Sequence, residues 1–493
     1  MTFSETNLSV GLQSIREMND KINLTVTGTI PPYLNSNTLY RVGPGRYDVT
    51  HADGKPFEIA HWFDGLSLLH AFEINTQTNT VAYRNRFLAD DMVDAIEATP
   101  RRRWNAISFG SPDPCRSLFG RFFQMFIPSG PPSHRPNVGV TLQQIPGKGL
   151  TIRTDASYQH VLNDETLQVD QFFGHSLFNQ SLNGVMSAAH GHYDKNTNEY
   201  FNYCYDINGP GNTDFKVFKV SPDGKAHVLA TINSKPTYVH SFATTTNYII
   251  LVIWPLHINA PKVLWSRNIA DALKFYENFP ATFYVISRHG EGLVKTYTSD
   301  SFFCFHTINA FEKESEDGEQ GGEDVVIDLI KYENADIVNA FRLKNMRSLT
   351  VLPPSQISRF VLKNDGELEE RLVSDRTIEF GGINPHLDMK DYKYAYGASS
   401  EQGPFDAIAK VDVKSGNRIL WNRSNIVVGE PIFVPDPDGT YEDDGCVLVV
   451  ALDCNTETSS LVILDSKDLT EIASAHVPHI VPLGFHGAFR ATP

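Results

Sequence analysis

Short strand-like segments separated by polar turns recur from one end of the 493-residue chain to the other. An apolar or alternating run leads into a turn rich in Asp, Asn, Gly, Ser or Lys, and then into a second such run, which is the pattern of a β-hairpin. Five examples are INTQTNTVAYR (74–84), YDKNTNEYFNY (193–203), VSPDGKAHVL (220–229), VDVKSGNRIL (411–420) and LDSKDLTEIA (464–473). Hairpins over the whole length predict a closed all-β fold, and a propeller or large barrel fits better than tandem domains.

Two stretches interrupt this pattern with the residue spacing of a helix. In PCRSLFGRFFQMF (114–126), five apolar residues fall on one helical face: Leu118, Phe119, Phe122, Phe123 and Phe126. The segment LWSRNIADALKFYENF (264–279) predicts a second helix. We interpret both as insertions into one β domain covering residues 1–493, of which about 1–25 form an N-terminal extension.

The chain is acidic, with 42 Lys and Arg against 58 Asp and Glu, a net charge of −16. Without a basic stripe it does not have the electrostatic footprint of a nucleic-acid-binding protein, and charge-driven docking to anionic lipid is equally disfavoured. No run approaches the roughly 20 apolar residues of a membrane-spanning helix, and the N-terminus does not have the pattern of a signal peptide. The five scattered cysteines favour a reducing compartment. We therefore expect a cytoplasmic protein without a nucleic-acid partner.

Common phosphate-binding, dinucleotide-binding, serine-hydrolase and zinc-protease motifs are missing from the sequence. The 17 histidines are the remaining source of chemistry, and four of them lie beside strand-like runs among small or aromatic residues. They are His190 in SAAHGHYD, His240 in YVHSFATTTNY, His306 in FFCFHTINAF and His486 in VPLGFHGAF. A single histidine is more often structural than functional. Only a closed fold could bring these four together, where a metal on one ring nitrogen and a carboxylate on the other would satisfy each imidazole.

The chain resembles the carotenoid cleavage oxygenases, also called the retinal-pigment-epithelium 65 kDa protein family, from about residue 25 to the end. GTIPPYLNSNTLYRVGPG (28–45) and HWFDGLSLLHAFEI (61–74) resemble its N-terminal signatures. AHGHYDKNTNEYFNY, VHSFATTTNY, FHTINAFE and GFHGAF resemble its four ligand segments, in the same order. The resemblance implies a seven-bladed β-propeller with helical insertions capping the active-site face. It also implies that His190, His240, His306 and His486 bind non-haem Fe(II) at the propeller axis.

Carboxylates behind the imidazoles can offset the charge of the ion and orient the rings. The resemblance implies this role for Glu379 in RTIEFGGINP and for Glu430 in GEPIFVPDP. Asp155 in RTDASYQHVLNDETL aligns with a third family acid, which is a glutamate. Because aspartate is one methylene shorter, we expect Asp155 to be the weakest of the three and to need a water or a shifted strand to reach its imidazole.

Three further histidines belong to the same motifs but do not match ligand positions. His192 lies two residues after His190, and we interpret it as structural or as a neighbour of the ligand shell. His61 and His70 belong to the N-terminal signature, and we expect them to be hydrogen-bonded core residues.

The resemblance implies a dioxygenase that uses O₂ to cleave a conjugated C=C bond into two carbonyl products. Since the electrons come from the alkene, neither 2-oxoglutarate nor NADH is needed. We expect a carotenoid or apocarotenoid substrate, because DPCRSLFGRFFQMF (113–126) resembles fungal carotenoid-cleaving members of the family.

Three alternatives stay open at this stage. The substrate could be an aryl alkene such as resveratrol or isoeugenol, although stilbene-cleaving relatives carry a Lys where this chain has Thr154, beside Arg153. The propeller could be a binding module without a metal. A retinoid-type isomerase is a weaker alternative, since it resembles a vertebrate specialisation.

The apolar stretch SLFGRFFQMFIP (117–128) has one charged residue, Arg121. Such a segment suits a peripheral membrane contact or the lip of a substrate tunnel. It suits a packed amphipathic helix equally well, and the sequence does not choose between these interpretations.

Overall fold

Antiparallel hairpins run along the whole of the described chain, which comprises residues 7–104, 106–111, 135–207, 211–315 and 322–492 of a computed structural model. The first strands are β1 Met18–Gly28, β2 Asn37–Arg46, β3 Val49–Thr50, β4 Pro56–Phe57, β5 Leu66–Asn75 and β6 Thr80–Phe87.

Five separate sheets of four or five strands follow along the middle of the chain. The first contains β7 Thr141–Ile145, β8 Gly149–Arg153, β9 Tyr158–Leu162 and β10 Val169–Gly174. The second contains β11 Met186–Ser187, β12 His192–Asp194, β13 Glu199–Tyr205, β14 Thr213–Val220 and β15 Ala226–Ser234. The third has β16 Ala243–Thr244 and β17 Tyr248–Ile253, then a two-stranded excursion of β18 Leu256–Ile258 and β19 Leu273–Phe275, then β20 Ala281–Ser287 and β21 Leu293–Ser299. The fourth contains β22 Phe303–Glu314, β23 Glu323–Tyr332, β24 Ser355–Leu362 and β25 Leu368–Ser374, and the fifth contains β26 Ile378–Ile383, β27 Tyr394–Ser399, β28 Ala407–Asp412 and β29 Arg418–Asn422.

The last strands return to the first ones. They are β30 Ile426–Val428, β31 Ile432–Pro435, β32 Gly445–Asp453, β33 Thr458–Asp465, β34 Glu471–Val477 and β35 Gly487–Ala491. With β1, β2, β5 and β6 they form one ten-stranded sheet, in which β1 pairs with both β34 and β6, and β2 pairs with β35. The two ends of the chain therefore close the ring against each other.

The all-β, propeller-like architecture is confirmed, and each of the five predicted hairpins is present, as β5–β6, β12–β13, β14–β15, β28–β29 and β33–β34. The expectation of seven separate blades is wrong for the described residues, which form five separate sheets of blade size and the ten-stranded sheet. The reason is the continuity of β1. Its first part pairs with β6 and its last four residues pair with β34, so the N-terminal and C-terminal hairpins share one sheet.

Helices are short and few in the described part of the chain. They are α1 Asp90–Ala98, α2 Ala260–Ser266, α3 Asp336–Ala340 and α4 Leu343–Met346, with 3-10 turns at Leu8–Leu12, Pro32–Leu34, Trp62–Asp64, Arg101–Arg103, His175–Leu177 and Ala270–Ala272. The predicted helix over 264–279 is wrong. Asn259 caps α2 early by accepting from the Lys262 N–H, and Arg267 ends it in the left-handed conformation at φ 57°. The predicted helix over 114–126 lies outside the described residues.

Buried ion pairs and hydrogen bonds connect neighbouring sheets. Arg288, after β20, donates to Asp194 of β12 at 2.5 Å, and Lys410 of β28 donates to Asp443, before β32, at 2.6 Å. At the other end of the chain, Leu8 and Leu12 are buried in the largest apolar cluster and β1 begins at Met18. The described part of the expected N-terminal extension is therefore integrated into the propeller. No helix of the described residues is both long and apolar enough to cross a bilayer.

Gly43 lies at a close backbone contact between the N-terminal and C-terminal parts of the chain. A Cβ at this position of β2 would lie 2.4 Å from the Gly484 Cα. We expect Gly43→Ala to lower the free energy of unfolding by about 1–3 kcal/mol, the usual cost of overpacking, as measured by denaturant titration. Gly211→Ala is the control, because a Cβ there meets nothing within 4 Å. Equal stability of the two variants would contradict this account of the closure.

Candidate metal centre

The four histidines of the ligand motifs meet at the centre of the propeller. One ring nitrogen from each of His190, His240, His306 and His486 lies within 4.8 Å of the others. The Nε2 atom of His486 is 3.0 Å from the Nε2 atom of His190 and 3.2 Å from that of His306. This grouping matches the sequence prediction, although the chain positions differ by as much as 296 residues.

Each histidine comes from a different sheet, at or beside its inner edge strand. His190 lies between β11 and β12 and forms a parallel bridge with Ser241 next to β16. His240 precedes β16, and His306 lies within β22. His486 directly precedes β35, and its carbonyl accepts from the Val42 N–H of β2 at 2.9 Å. The imidazoles therefore converge because the sheet edges converge at the axis.

A carboxylate stands behind three of the four imidazoles. Nδ1 of His306 lies 2.5 Å from Glu379 Oε2, and Nδ1 of His486 lies 2.7 Å from Glu430 Oε1. The sequence analysis expects each glutamate behind a ligand imidazole, and the structure assigns Glu379 to His306 and Glu430 to His486. Among the described residues, no carboxylate forms an ion pair with His190.

Asp155 reaches its imidazole directly, without the water or shifted strand that its shorter side chain suggested. His240 Nδ1 lies 2.9 Å from Asp155 Oδ1 and 3.1 Å from Oδ2. The Ser187 N–H donates to the Asp155 carbonyl at 3.0 Å and holds the loop between β8 and β9 against β11. The neighbouring Ala156 also bridges to Met186 of β11.

Each of the three carboxylates also accepts a hydrogen bond from a further side chain, and the sequence analysis missed these donors. Tyr238 O–H donates to Asp155 at 2.8 Å, and Tyr332 O–H donates to Glu379 at 2.7 Å. Arg41 donates to Glu430 at 2.8 Å. One signal was available for Tyr238, since it lies two residues before His240 and residues at that spacing in an extended chain share a face. No local pattern connects Arg41 or Tyr332 with the histidines.

The hydrogen bonds determine which nitrogen of each ring carries the proton. A carboxylate only accepts, so Nδ1 of His306 and of His486 carries a proton. Burial lowers the pKa of His486 to about 4, despite the opposing effect of Glu430, so this ring is neutral at pH 7. Its Nε2 therefore keeps its lone pair and lies 3.2 Å from the Nε2 atom of His306. A metal ion placed among these nitrogens would accept that lone pair.

The donor set fits a transition-metal ion on geometry as well as charge. Imidazole nitrogens bind such ions at about 2.1 Å, so neighbouring positions on an octahedral ion are about 3.0 Å apart. The Nε2 separations of 3.0 Å and 3.2 Å match that value. Imidazole suits iron among several metals. The residues present therefore fit the iron that the sequence resemblance implies.

The cavity beside the histidines has an aromatic wall. Asp155, His240, His306, Glu379 and His486 line its polar side. The remaining lining residues are apolar: Trp62, Phe63, Val140, Phe305, Phe341, Phe380, Phe405 and Phe485. A site walled in this way excludes water and favours an apolar molecule.

The other motif histidines lie outside the cluster. His61 Nε2 contacts the Val338 carbonyl at 2.9 Å, and His70 Nδ1 contacts the Tyr83 hydroxyl at 2.8 Å, as expected for hydrogen-bonded core residues. His192 Nε2 lies 3.5 Å from Asp388. None of the three belongs to the four-histidine group.

A family model described as retinal pigment epithelial membrane protein matches residues 12–491. The chain belongs to this family. These carotenoid oxygenases are iron-dependent, and the four-histidine group is consistent with that metal. Relatives include a carotenoid dioxygenase of Neurospora crassa, 28% identical over 96% of this chain and 89% of the relative. Others are the torulene dioxygenase of Fusarium fujikuroi, at 29% over 96% and 92%, and the human mitochondrial carotenoid-cleaving dioxygenase, at 30% over 97% and 90%.

Solved structures of a carotenoid oxygenase have the same fold. A glutamate-to-aspartate variant of the apocarotenoid oxygenase from Synechocystis superposes with a TM-score of 0.81 over 100% of both chains, at 24% identity. A cobalt-substituted form of that enzyme gives the same TM-score, identity and coverage.

The carboxylate behind His306 gives a direct test of the centre. We expect Glu379→Gln to weaken iron affinity 10–100-fold, the usual effect of losing a carboxylate that orients a ligating histidine. Competition against a chelator measures this affinity. Glu312→Gln is the matched control, because Glu312 also lies on the His306 strand β22 but its carboxylate accepts from Thr245 and Asn247. Unchanged affinity in Glu379→Gln would remove Glu379 from the centre.

Proposed function

We propose that this protein is a non-haem Fe(II) dioxygenase that cleaves a conjugated C=C bond of a carotenoid or apocarotenoid with O₂. The observation that carries this proposal is the convergence of four imidazoles, with the Nε2 atoms of His306 and His486 3.2 Å apart, beside an aromatic cavity. His190, His240, His306 and His486 would hold the iron, and Asp155, Glu379 and Glu430 would orient three of these rings. Ferrous iron bound there would supply the activation of O₂.

The reaction balances without a further reductant. One C=C bond and one O₂ give two C=O groups, so both oxygen atoms enter the products and the electrons come from the alkene. The protein's contribution is to hold the double bond beside the histidines and to exclude water with the aromatic wall. The carboxylates keep the Nδ1 protons in place, so each Nε2 stays available as a ligand.

The composition of the wall supports a polyene over a phenol. Among the side chains of the described lining residues, the polar groups are the histidines, their carboxylates and the Trp62 indole N–H, which already donates to the Leu483 carbonyl at 3.2 Å. A phenolic hydroxyl would therefore lack a dedicated hydrogen-bond partner, which costs binding energy in a buried site. Arg153, beside the position where stilbene-cleaving relatives carry Lys, donates to the Ala188 carbonyl at 2.7 Å and does not line the cavity.

The proposal includes a cytoplasmic location and a peripheral membrane contact through residues 117–128, which would deliver a membrane-dissolved substrate. That segment lies outside the described residues. Its apolar composition supports binding through burial in lipid, so liposome binding should persist at high salt.

The substrate class is tested with protein reconstituted with Fe(II) under anaerobic conditions. Incubation with ¹⁸O₂ and β-carotene, apocarotenals, resveratrol or isoeugenol should give labelled carbonyl products from the polyenes, identified by mass. Cleavage of resveratrol or isoeugenol alone would support the aryl-alkene alternative. Iron binding without O₂-dependent products would contradict the dioxygenase, and no iron binding would favour the binding module.

His306→Ala should abolish this cleavage while the protein stays folded, because one imidazole contributes little to the core. Circular dichroism and the melting temperature check the fold. His289→Ala is the control, because that exposed ring lies outside the cluster and contacts Asn247. Retained cleavage in His306→Ala would overturn the assignment of the centre.

A further inference from the structure

The three carboxylates at the centre share one pattern of hydrogen bonding. Each accepts from one imidazole N–H, from one backbone N–H and from one further side chain. The backbone donors are Ala189 to Asp155 at 3.2 Å, Phe380 to Glu379 at 3.0 Å and Gly487 to Glu430 at 2.8 Å. The side-chain donors are the neutral hydroxyls of Tyr238 and Tyr332 and, for Glu430 alone, the cation Arg41.

Arg41 is built into the closure of the ring. It lies on β2 with 4% of its surface exposed, and besides Glu430 it donates to the Phe485 carbonyl at 3.0 Å. A Cβ on Gly487 would lie 2.8 Å from the Arg41 Cδ, so glycine is the residue that leaves room for this side chain. The buried guanidinium therefore contacts Glu430 on the side away from His486.

A charge count shows what this cation does. Asp155, Glu379 and Glu430 contribute −3, neutral imidazoles contribute 0, and Arg41, which stays protonated in proteins, contributes +1. The summed charge of these groups is −2. A divalent ion brings this total to zero, and a trivalent ion brings it to +1. Without Arg41 the sum is −3, which a trivalent ion neutralises. Uncompensated charge is costly in a buried site.

Arg153 is the other buried cation near the centre, and it adds the same charge to the sums with and without Arg41. Its N–H groups go to Gln143 and to the Ala188 carbonyl, and its guanidinium lies 4.9 Å from the Tyr200 ring centroid. It forms no ion pair with the three carboxylates in the described structure. Its contribution is the same with and without Arg41.

We propose that Arg41 is a positioning residue that lowers the negative charge around the iron by one unit and so disfavours the trivalent state. This inference rests on the proposed iron site. Arg41 acts through Glu430 and His486, the carboxylate and imidazole that it supports from outside. It does not touch the substrate cavity, of which it is not a lining residue.

The test is a mediated redox titration of the iron-loaded protein at pH 8, in which electron paramagnetic resonance measures the amount of ferric iron at each potential. Arg41→Met should raise the ferric-to-ferrous affinity ratio at least about tenfold, which lowers the midpoint potential by about 59 mV for one electron. Glu430→Gln should move the potential in the opposite direction, because it removes a negative charge. The double variant should return towards the wild-type value. A purely structural role predicts no such opposite shifts.

Two comparisons keep the inference testable. Arg359→Met removes a buried arginine paired with Asp328 at 2.7 Å, outside the histidine centre, and should leave the potential unchanged. If Arg41→Met does not fold, the double variant against Glu430→Gln still isolates Arg41, and its potential should be the lower of the two. If iron binds but the potential shifts neither between Arg41→Met and the wild type nor between the double variant and Glu430→Gln, the role of Arg41 alone is overturned. Absence of iron binding in the wild type would overturn the proposed function instead.

Discussion

The pairing between the two ends of the chain is the contact on which the centre depends. Strand β2 pairs with β35, and the Phe485 N–H donates to the Val42 carbonyl at 2.8 Å. This ladder places His486 at the axis, beside His190 and His306. It also brings Arg41 to Glu430, across 389 positions of sequence. If this pairing were lost, one imidazole, one carboxylate and one cation of the centre would move away together.

The centre places many polar groups in an apolar surrounding, which is favourable only if each is satisfied. The hydrogen bonds achieve this for the carboxylates, each of which accepts from an imidazole, a backbone N–H and a further side chain. The imidazoles of His306 and His486 are satisfied only on their outer nitrogens. The inward nitrogens converge, with the Nε2 atoms of His306 and His486 3.2 Å apart, where they would bind a cation. The aromatic wall strengthens that attraction by keeping water out.

Asp155 shows how side-chain length alone can mislead. Its shorter side chain predicted an indirect contact, yet its carboxylate lies 2.9 Å from His240 Nδ1. The loop that carries Asp155 is held against β11 by the Ser187 N–H and the Ala156 bridge. Tyr238 then donates to the outer carboxylate oxygen.

The sequence by itself predicted the hairpins from turn residues and alternation, which are local signals, and the family resemblance of its short motifs named the four histidines and the acids Asp155, Glu379 and Glu430. It did not determine that β1 unites the terminal hairpins in one sheet, since β1 carries the same pattern whichever neighbour it pairs with. It also misplaced the helix near residue 264, where the left-handed Arg267 ends α2. Only the tertiary structure decided that Arg41, Tyr238 and Tyr332 complete the carboxylates. Those contacts span tens to hundreds of residues, and their geometry exists only once the ring has closed.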